Sequence, residues 1–377
     1  MAFPVDHIVL APGDIDIARS PLAGRTPCET AIRGVFNPGL TRLDSGRLLM
    51  MARVAEAPAK AVVDGGHRAL RWTEAGYAAD PWPIGQIDTS DPRSLLIAAG
   101  AVRMTVPTTL SWLLPVELDA EGMAVEAIHY DRAIAPHAAF LSYGIEDPRI
   151  VRIDGGWWMT AAAMSPERIS TVLYRSDDGL DWHFADMLLD HHNRDMALFE
   201  GRIDGRFWAQ TRPVGEQYIA YPATSPWRAG PAINLATSPD GLHWKPHLSP
   251  GIRPHSATAS TARMGAGAPP IRLGDEWLSL WHGIEPHGAT GRCRTYWSVL
   301  AGGDPVQVVR TSHPPLLSPA PALLEGVPPT RLIAPGVTFT TGAVDAGDHL
   351  IVASGEADHA CRITHIPKAV FADGVPQ

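Results

Sequence analysis

A phrase that recurs through this chain constrains its fold more than any other feature. Thr41-Arg42-Leu43-Asp44-Ser45-Gly46-Arg47-Leu48 is echoed by Val151-Arg152-Ile153-Asp154-Gly155-Gly156-Trp157-Trp158, by Gly201-Arg202-Ile203-Asp204-Gly205-Arg206-Phe207-Trp208 and by Ile271-Arg272-Leu273-Gly274-Asp275-Glu276-Trp277-Leu278. A looser copy is Ala343-Val344-Asp345-Ala346-Gly347-Asp348-His349-Leu350. Each copy is an apolar run, an Asp/Gly turn and a second apolar run, which is the pattern of a β-hairpin. A second phrase, Ser176-Asp177-Asp178-Gly179-Leu180-Asp181-Trp182, returns as Ser238-Pro239-Asp240-Gly241-Leu242-His243-Trp244, where the later strands of two such units belong. Gly and Pro, 35 of each in 377 residues, punctuate the chain, and long stretches of helical periodicity are scarce.

Hairpins repeated at intervals of tens of residues predict an all-β chain folded as a five-bladed β-propeller, residues 1–377 forming one domain. The wide interval between the first and second hairpins predicts an insertion from roughly Ala57 to His137 that builds rim loops. A β-sandwich or a two-domain α/β chain is the competing architecture, because Asp-Gly hairpins occur in many sheets.

The repeat also locates a site. Aligning the hairpins puts Phe36–Gly39, Glu146–Arg149, Met196–Phe199 and Ala266–Pro269 at one position, just before the first strand of each pair, where they would ring a central channel. Pro148 cannot donate to a sheet ladder, so Glu146 and Asp147 are expected at the mouth of a strand and not within it. Asp147 is the lone acid of the aligned ring, with Asn37, the Asn193-Arg194-Asp195 segment and the His282 loop facing the same pocket. Glu146, pointing the other way by strand alternation, would pair with an arginine. An acid among arginines, a histidine and a supply of 12 Trp suits a hydroxyl-rich ligand, a sugar, although most of the Trp residues belong to packing between blades.

Other classes are disfavoured. The net charge of −9 is spread without runs of one sign, which argues against nucleic acid or an anionic membrane as partner. Cys28, Cys293 and Cys361 lie too far apart for a zinc knuckle and are odd in number, so a reducing, cytoplasmic location is expected. No segment has the length and apolarity of a membrane span. Gly265-Ala266-Gly267 lacks the third glycine of a dinucleotide fingerprint, and His191-His192 lacks acidic partners at ligand spacing, so no cofactor and no metal is expected. A homo-oligomer is compatible with the sequence.

Several segments together resemble glycoside hydrolase family 130. They are Phe36-Asn37-Pro38-Gly39, Arg53, Tyr143-Gly144-Ile145-Glu146-Asp147-Pro148-Arg149-Ile150, Asp195-Met196-Ala197-Leu198-Phe199, Thr211-Arg212-Pro213, Gly265-Ala266-Gly267-Ala268-Pro269-Pro270-Ile271 and Trp281-His282-Gly283, in order from about Phe36 to Asp358. The resemblance implies a five-bladed propeller that cleaves β-mannosides with inversion and needs no metal. It implies that Asp147 is the proton donor, that Asn37, Arg53 and Asp358 bind the mannosyl ring, and that Arg194, Arg212 and His282 bind inorganic phosphate as co-substrate. The family's Leu-Phe-Pro-Glu-Lys stands here as Leu198-Phe199-Glu200-Gly201-Arg202, and a tyrosine expected near Cys293 is missing.

The chemistry leaves two routes. A glycosidic oxygen departs only when protonated, so one carboxyl must supply a proton. Phosphate as nucleophile needs cations around it and yields mannose 1-phosphate. Water needs a second carboxylate as base, for which Glu200 and Asp195 are the candidates. A non-catalytic carbohydrate-binding propeller and a furanosidase-like hydrolase complete the alternatives.

Overall fold

In the computed structural model, residues 3–99, 102–215, 218–249, 251–254, 263–312 and 314–374 are described. Among these the regular elements are β-strands and short 3-10 turns. Outside the insertion the strands fall into five successive antiparallel units, of four strands each except the fourth, which has five. The first contains Thr30–Arg42, Leu48–Pro58, Leu110–Leu118 and Val125–Ile128, and the second contains Gly144–Ile153, Gly156–Met164, Ile169–Ser176 and His183–Leu189. One parallel bridge, Ser111 to Gly144, joins these two into a continuous sheet. The third contains Asn193–Leu198, Phe207–Pro213, Asn234–Ser238 and Lys245–Pro246. In the fourth, Arg263–Ala266 and Ile271–Leu273 share one edge of Glu276–Glu285, followed by Arg292–Leu300 and Val308–Thr311. The fifth is Thr338–Asp345, His349–Glu356 and Ala360–Pro367, completed by the N-terminal strand Val5–Leu10.

The five repeated phrases are the hairpins between the first and second strands of these units. Asp154 (φ 52°) with Gly155 (φ 85°), and Asp204 (φ 49°) with Gly205 (φ 71°), adopt the left-handed pair that a two-residue hairpin turn requires. The second phrase is one turn used twice, between third and fourth strands. Ser176 and Ser238 accept from the amides of Gly179 and Gly241, and the indoles of Trp182 and Trp244 donate to those same glycines' carbonyls at 3.0 Å.

Apolar clusters lie between consecutive units. Leu43, Met51 and Leu113 of the first meet Ile145 and Trp157 of the second; Trp158 meets Phe207 between the second and third; Phe199 meets Trp277 between the third and fourth. Leu280 and Val299 meet Val352 and Ile366 between the fourth and fifth, and Ile351 and Ile363 of the fifth return to Leu48 and Val116 of the first. The succession of interfaces closes on itself. Burying one large side chain at such an interface stabilises by about 1.5–3 kcal/mol.

Two expectations change. The insertion is shorter than its predicted span, because Leu110–Leu118 and Val125–Ile128 are the first unit's own outer strands. It also consists of regular sheet, Val62–Val63 with Gly66–Thr73 and Gly76–Pro83, then Ile87–Asp88 with Ser94–Ala99 and Val102–Pro107, where rim loops were expected. The N-terminal strand belongs to the last unit, which no repeat signal announced. Arg362 fastens it by donating to Asp6 Oδ1 and Oδ2 at 2.6 and 2.8 Å while also holding Glu356 at 3.0 Å.

Candidate active site

The same irregularity interrupts the innermost strand of three units. Phe36 faces Arg53 and Gly39 faces Met51, so residues 37–38 oppose Ala52 alone. Glu146 faces Ala162 and Arg149 faces Thr160; Arg194 faces Arg212 and Ala197 faces Gln210. These are β-bulges, and in each the left-handed residue is a short polar one: Asn37 (φ 50°), Asp147 (φ 52°) and Asp195 (φ 60°). A bulge turns a strand and re-aims one side chain, and all three residues are buried. Pro148 sits in the bulge, where its missing N–H costs nothing, so the acid pair lies within strand Gly144–Ile153 and not at its mouth. The third unit's ring segment is therefore Arg194–Ala197, two residues earlier than the hairpin alignment placed it. Asp147 is not the ring's lone acid: Asp195 holds the equivalent position.

The charges interlock. Asp147 Oδ1 accepts from Asn37 Nδ2 at 2.8 Å and from Arg53 Nη1 at 2.9 Å, while Arg53 Nη2 donates to Glu146 Oε1 at 2.7 Å and its Nε to Ser111 at 3.0 Å. The bulge lets both neighbouring carboxylates reach one guanidinium, which simple strand alternation forbids. Arg194 Nη1 meets Glu146 Oε2 at 3.3 Å. Arg149 is buried at the centre, donating to the carbonyls of Asp147, Ala266 and Gly267 and to Asp195 Oδ1 at 3.0 Å. Arg212 Nε lies 2.7 Å from Asp195 Oδ2, too poorly aligned to count as a hydrogen bond, and His282 Nε2 is 3.5 Å from the same oxygen. Gly265 makes this contact possible, since a Cβ there would overlap Asp195 Oδ2 and the His282 ring.

Asp358 follows Ala357 in a left-handed turn (φ 49° and 59°) that docks on the first unit through Val35 N to His359 O at 2.8 Å. Its carboxyl is pushed up to about 6 by burial, reinforced by Asp147 and Glu146 and opposed by Arg93 and Arg53. Burial also works to raise Asp147 and Asp195, but the arginines win. Arg53, Arg149 and Arg194 with the Asn37 amide hold Asp147 below its ordinary value, and Arg212 foremost holds Asp195 at about 2. Burial drives His282 down to about 3 despite the pull of Asp195. His282 is thus neutral at physiological pH, and the expected trio of cations is two arginines and a neutral imidazole.

Asn37, Arg53, Asp147, Arg194, Asp195, Arg212, His282 and Asp358 come together as one charged network. Glu200 does not: it stands exposed on the turn beyond Leu198, at the opposite end of its strand from the bulge. The Trp side chains are taken up mainly by the seams, Trp112, Trp157, Trp277, Trp281 and Trp297 all being buried in them. Sequence reasoning missed the central role of Arg149, whose only signal is a charge inside an apolar strand. It also missed Arg263, and Arg93 in the insertion, which carry no local signal. Arg263 is depressed by burial and by Arg212, Arg93 and Arg194, with Asp91 as counterweight. A cleft of about 740 Å³ on the third unit is lined by Asn193, Thr211, Pro213 and Trp244, and the arginines of the network do not line it.

Comparison with known proteins decides the family. The model of the glycoside hydrolase family 130 proteins, described as beta-1,4-mannooligosaccharide phosphorylase, matches residues 110–372. The chain belongs to glycoside hydrolase family 130. A beta-1,2-mannobiose phosphorylase of Thermoanaerobacter sp. (strain X514) is 30% identical over 61% of this chain and 67% of its own length. One from Listeria innocua is 25% identical over 86% of each chain. A 1,2-beta-oligomannan phosphorylase of the same Thermoanaerobacter strain is 28% identical, and there the chain spans 65% of its relative, just under two thirds. The solved structure of the Listeria innocua beta-1,2-mannobiose phosphorylase in complex with beta-1,2-mannobiose superposes with a TM-score of 0.78 at 21% identity, covering 97% of this chain and 98% of that one. Another, described with family members that hydrolyse beta-1,2 mannosidic linkages in Candida mannan, gives 0.65 at 15% identity over 100% of this chain and 97% of that one. At these identities the two structures show a shared fold.

Proposed function

We propose that this protein is an inverting phosphorylase of β-mannosides, with β-1,2-linked mannobiose or short oligomannan as substrate and α-mannose 1-phosphate as product. The five sheet units are the blades of one five-bladed propeller, and the bulges of the first three deliver the reacting groups to its axis. Asn37, Arg53 and Asp358 hold the mannosyl ring, Asp147 protonates the leaving oxygen, and Arg194, Arg212 and His282 receive phosphate. The observation that carries this reading is the crowding of Arg212, Arg93 and Arg194 close enough to Arg263 that their charge adds to burial, the larger cause, in holding Arg263 below its usual value. Such a cluster is relieved by an anion.

The same field keeps Asp147 ionised, which a proton donor cannot remain. A phosphate dianion against Arg194 would offset one of the cations that depress Asp147, the third after Arg53 and Arg149, so binding the nucleophile would itself help load the acid. Hydrolysis fits less well. Asp195, held at about 2 between Arg149 and Arg212, is a feeble base, and Glu200 is remote from Asp147. Proximity of relatives that phosphorolyse β-1,2 linkages supports the choice of substrate.

The test is the rate of β-1,2-mannobiose consumption against phosphate concentration. Saturable dependence on phosphate is expected, with Arg212→Ala raising KM for phosphate at least tenfold and KM for the disaccharide far less. A wild-type rate unaffected by phosphate would refute phosphorolysis.

A further inference from the structure

Among the described residues, the site already described leaves one cluster of ligating side chains unused, at the seam where the chain closes. His349 begins the second strand of the fifth unit, and His365 lies on the third strand, opposite Ile351. Their rings lie against each other at a 30° tilt with centroids 4.6 Å apart. Glu121, in the turn between the third and fourth strands of the first unit, reaches across from the other side. Its carbonyl accepts from His365 Nε2 at 2.8 Å and its carboxylate Oε2 lies 3.5 Å from His349 Nε2. One donor atom each from Glu121, His349 and His365 fall within 4.8 Å of one another. His7, on the N-terminal strand, lies on the same face, diagonal to His365.

Two features make this more than a coincidence of polar groups. His349 Nδ1 bonds the Asp348 carboxylate at 2.7 Å, which puts the ring proton on Nδ1 and leaves the Nε2 lone pair free. That Nε2 is buried and lacks a hydrogen-bond partner. A carboxylate behind a histidine whose other nitrogen aims at a second histidine and a glutamate is the arrangement that holds a borderline divalent ion.

We propose that Glu121, His349 and His365 bind a divalent transition-metal ion of the zinc, cobalt or nickel class, which staples the last sheet unit to the first. Imidazole nitrogens with a carboxylate select such ions over magnesium or calcium. The ligands come from three separate strands and turns of two units, which is why no spacing in the sequence betrays them. The metal ties the seam that also carries the N-terminal strand, so its effect is on closure of the fold and not on the sugar site.

The experiment uses the full chain, stripped with EDTA and titrated with zinc chloride by calorimetry, with cobalt chloride as a spectroscopic probe. One equivalent is expected to bind, and Tm is expected to rise by about 3 °C or more at saturating zinc. His349→Gln should abolish the binding, and Glu121→Gln should weaken it about tenfold or more. Glu121 is half exposed, so its variant keeps the test open even if a histidine variant folds poorly. His243→Gln, on a distant turn, should change nothing. Absence of saturable one-to-one binding, or binding that survives both Glu121→Gln and His349→Gln, would overturn the proposal and leave the assignment of the sugar site untouched.

Discussion

The inner strands of the second and third units each carry one aspartate in a bulge and lead to another in the hairpin turn, in nearly the same backbone conformation, and the two ends of the hairpin could hardly differ more in consequence. At the hairpin end are Asp154 (φ 52°) and Asp204 (φ 49°); at the bulge end are Asp147 (φ 52°) and Asp195 (φ 60°). The side chain of Asp154 is 63% exposed, while those of Asp147 and Asp195 are 7% and 2% exposed. A left-handed aspartate is tolerated at both ends for the same steric reason. Only at the bulges does it meet arginine in a water-poor setting, where unbalanced charge costs several kcal/mol per ion. Backbone geometry is shared, and burial among arginines is what separates the two kinds of acid.

The sharpest way to break this contrast is to neutralise one acid of each kind. Asp147→Asn should lower turnover of an unactivated mannoside by about 10² to 10⁴, the usual effect of removing a general acid. Asp154→Asn should leave turnover unchanged and stability within about 0.5 kcal/mol. Comparable losses at both positions would show that the bulge confers nothing special.

The second contrast is read in stability. Asp195→Asn removes the carboxylate between Arg149 and Arg212 and should destabilise by about 3–5 kcal/mol, as breaking a buried ion pair does. Asp204→Asn should cost less than about 0.5 kcal/mol. Denaturant unfolding of the two variants beside the wild type measures both.

A smaller effect separates the buried acids from one another by pH. Asp358 has a folded pKa raised to about 6, so its contribution to stability is complete below about pH 4 and is lost as pH rises through 6. Asp358→Asn should therefore be more stable than wild type at pH 8 by roughly 2–3 kcal/mol, and by little at pH 4. Asp195, held at about 2, works the other way, contributing stability above about pH 4 that is lost as pH falls toward 2. An Asp358→Asn variant whose advantage does not grow between pH 4 and pH 8 would refute the raised pKa.

What could be read from the residues follows the same division. The hairpins were legible because Asp-Gly turns have fixed chemistry, and each repeated phrase is indeed a hairpin between first and second strands. The bulges were not, since an extra residue at Asn37, Asp147 or Asp195 leaves no compositional trace. Aligning by hairpins alone placed Ala197 where Asp195 stands. Asp147, Arg53 and Asn37 were legible through resemblance to a family, and their mutual hydrogen bonds agree with a common site. Glu200 looked like a base because it is a carboxylate standing where the family's motif has proline, yet five residues of extended chain carry it about 16 Å from Asp195. Arg93 was invisible because a separate sheet of the insertion brings it in.

The most direct measurement follows the reaction of β-1,2-mannobiose in phosphate buffer by phosphorus and proton NMR. A new phosphorus signal of α-mannose 1-phosphate is expected to grow in step with loss of the disaccharide, and to be missing with Asp147→Asn. Free mannose as the sole first product, with no new phosphorus signal, would contradict the account.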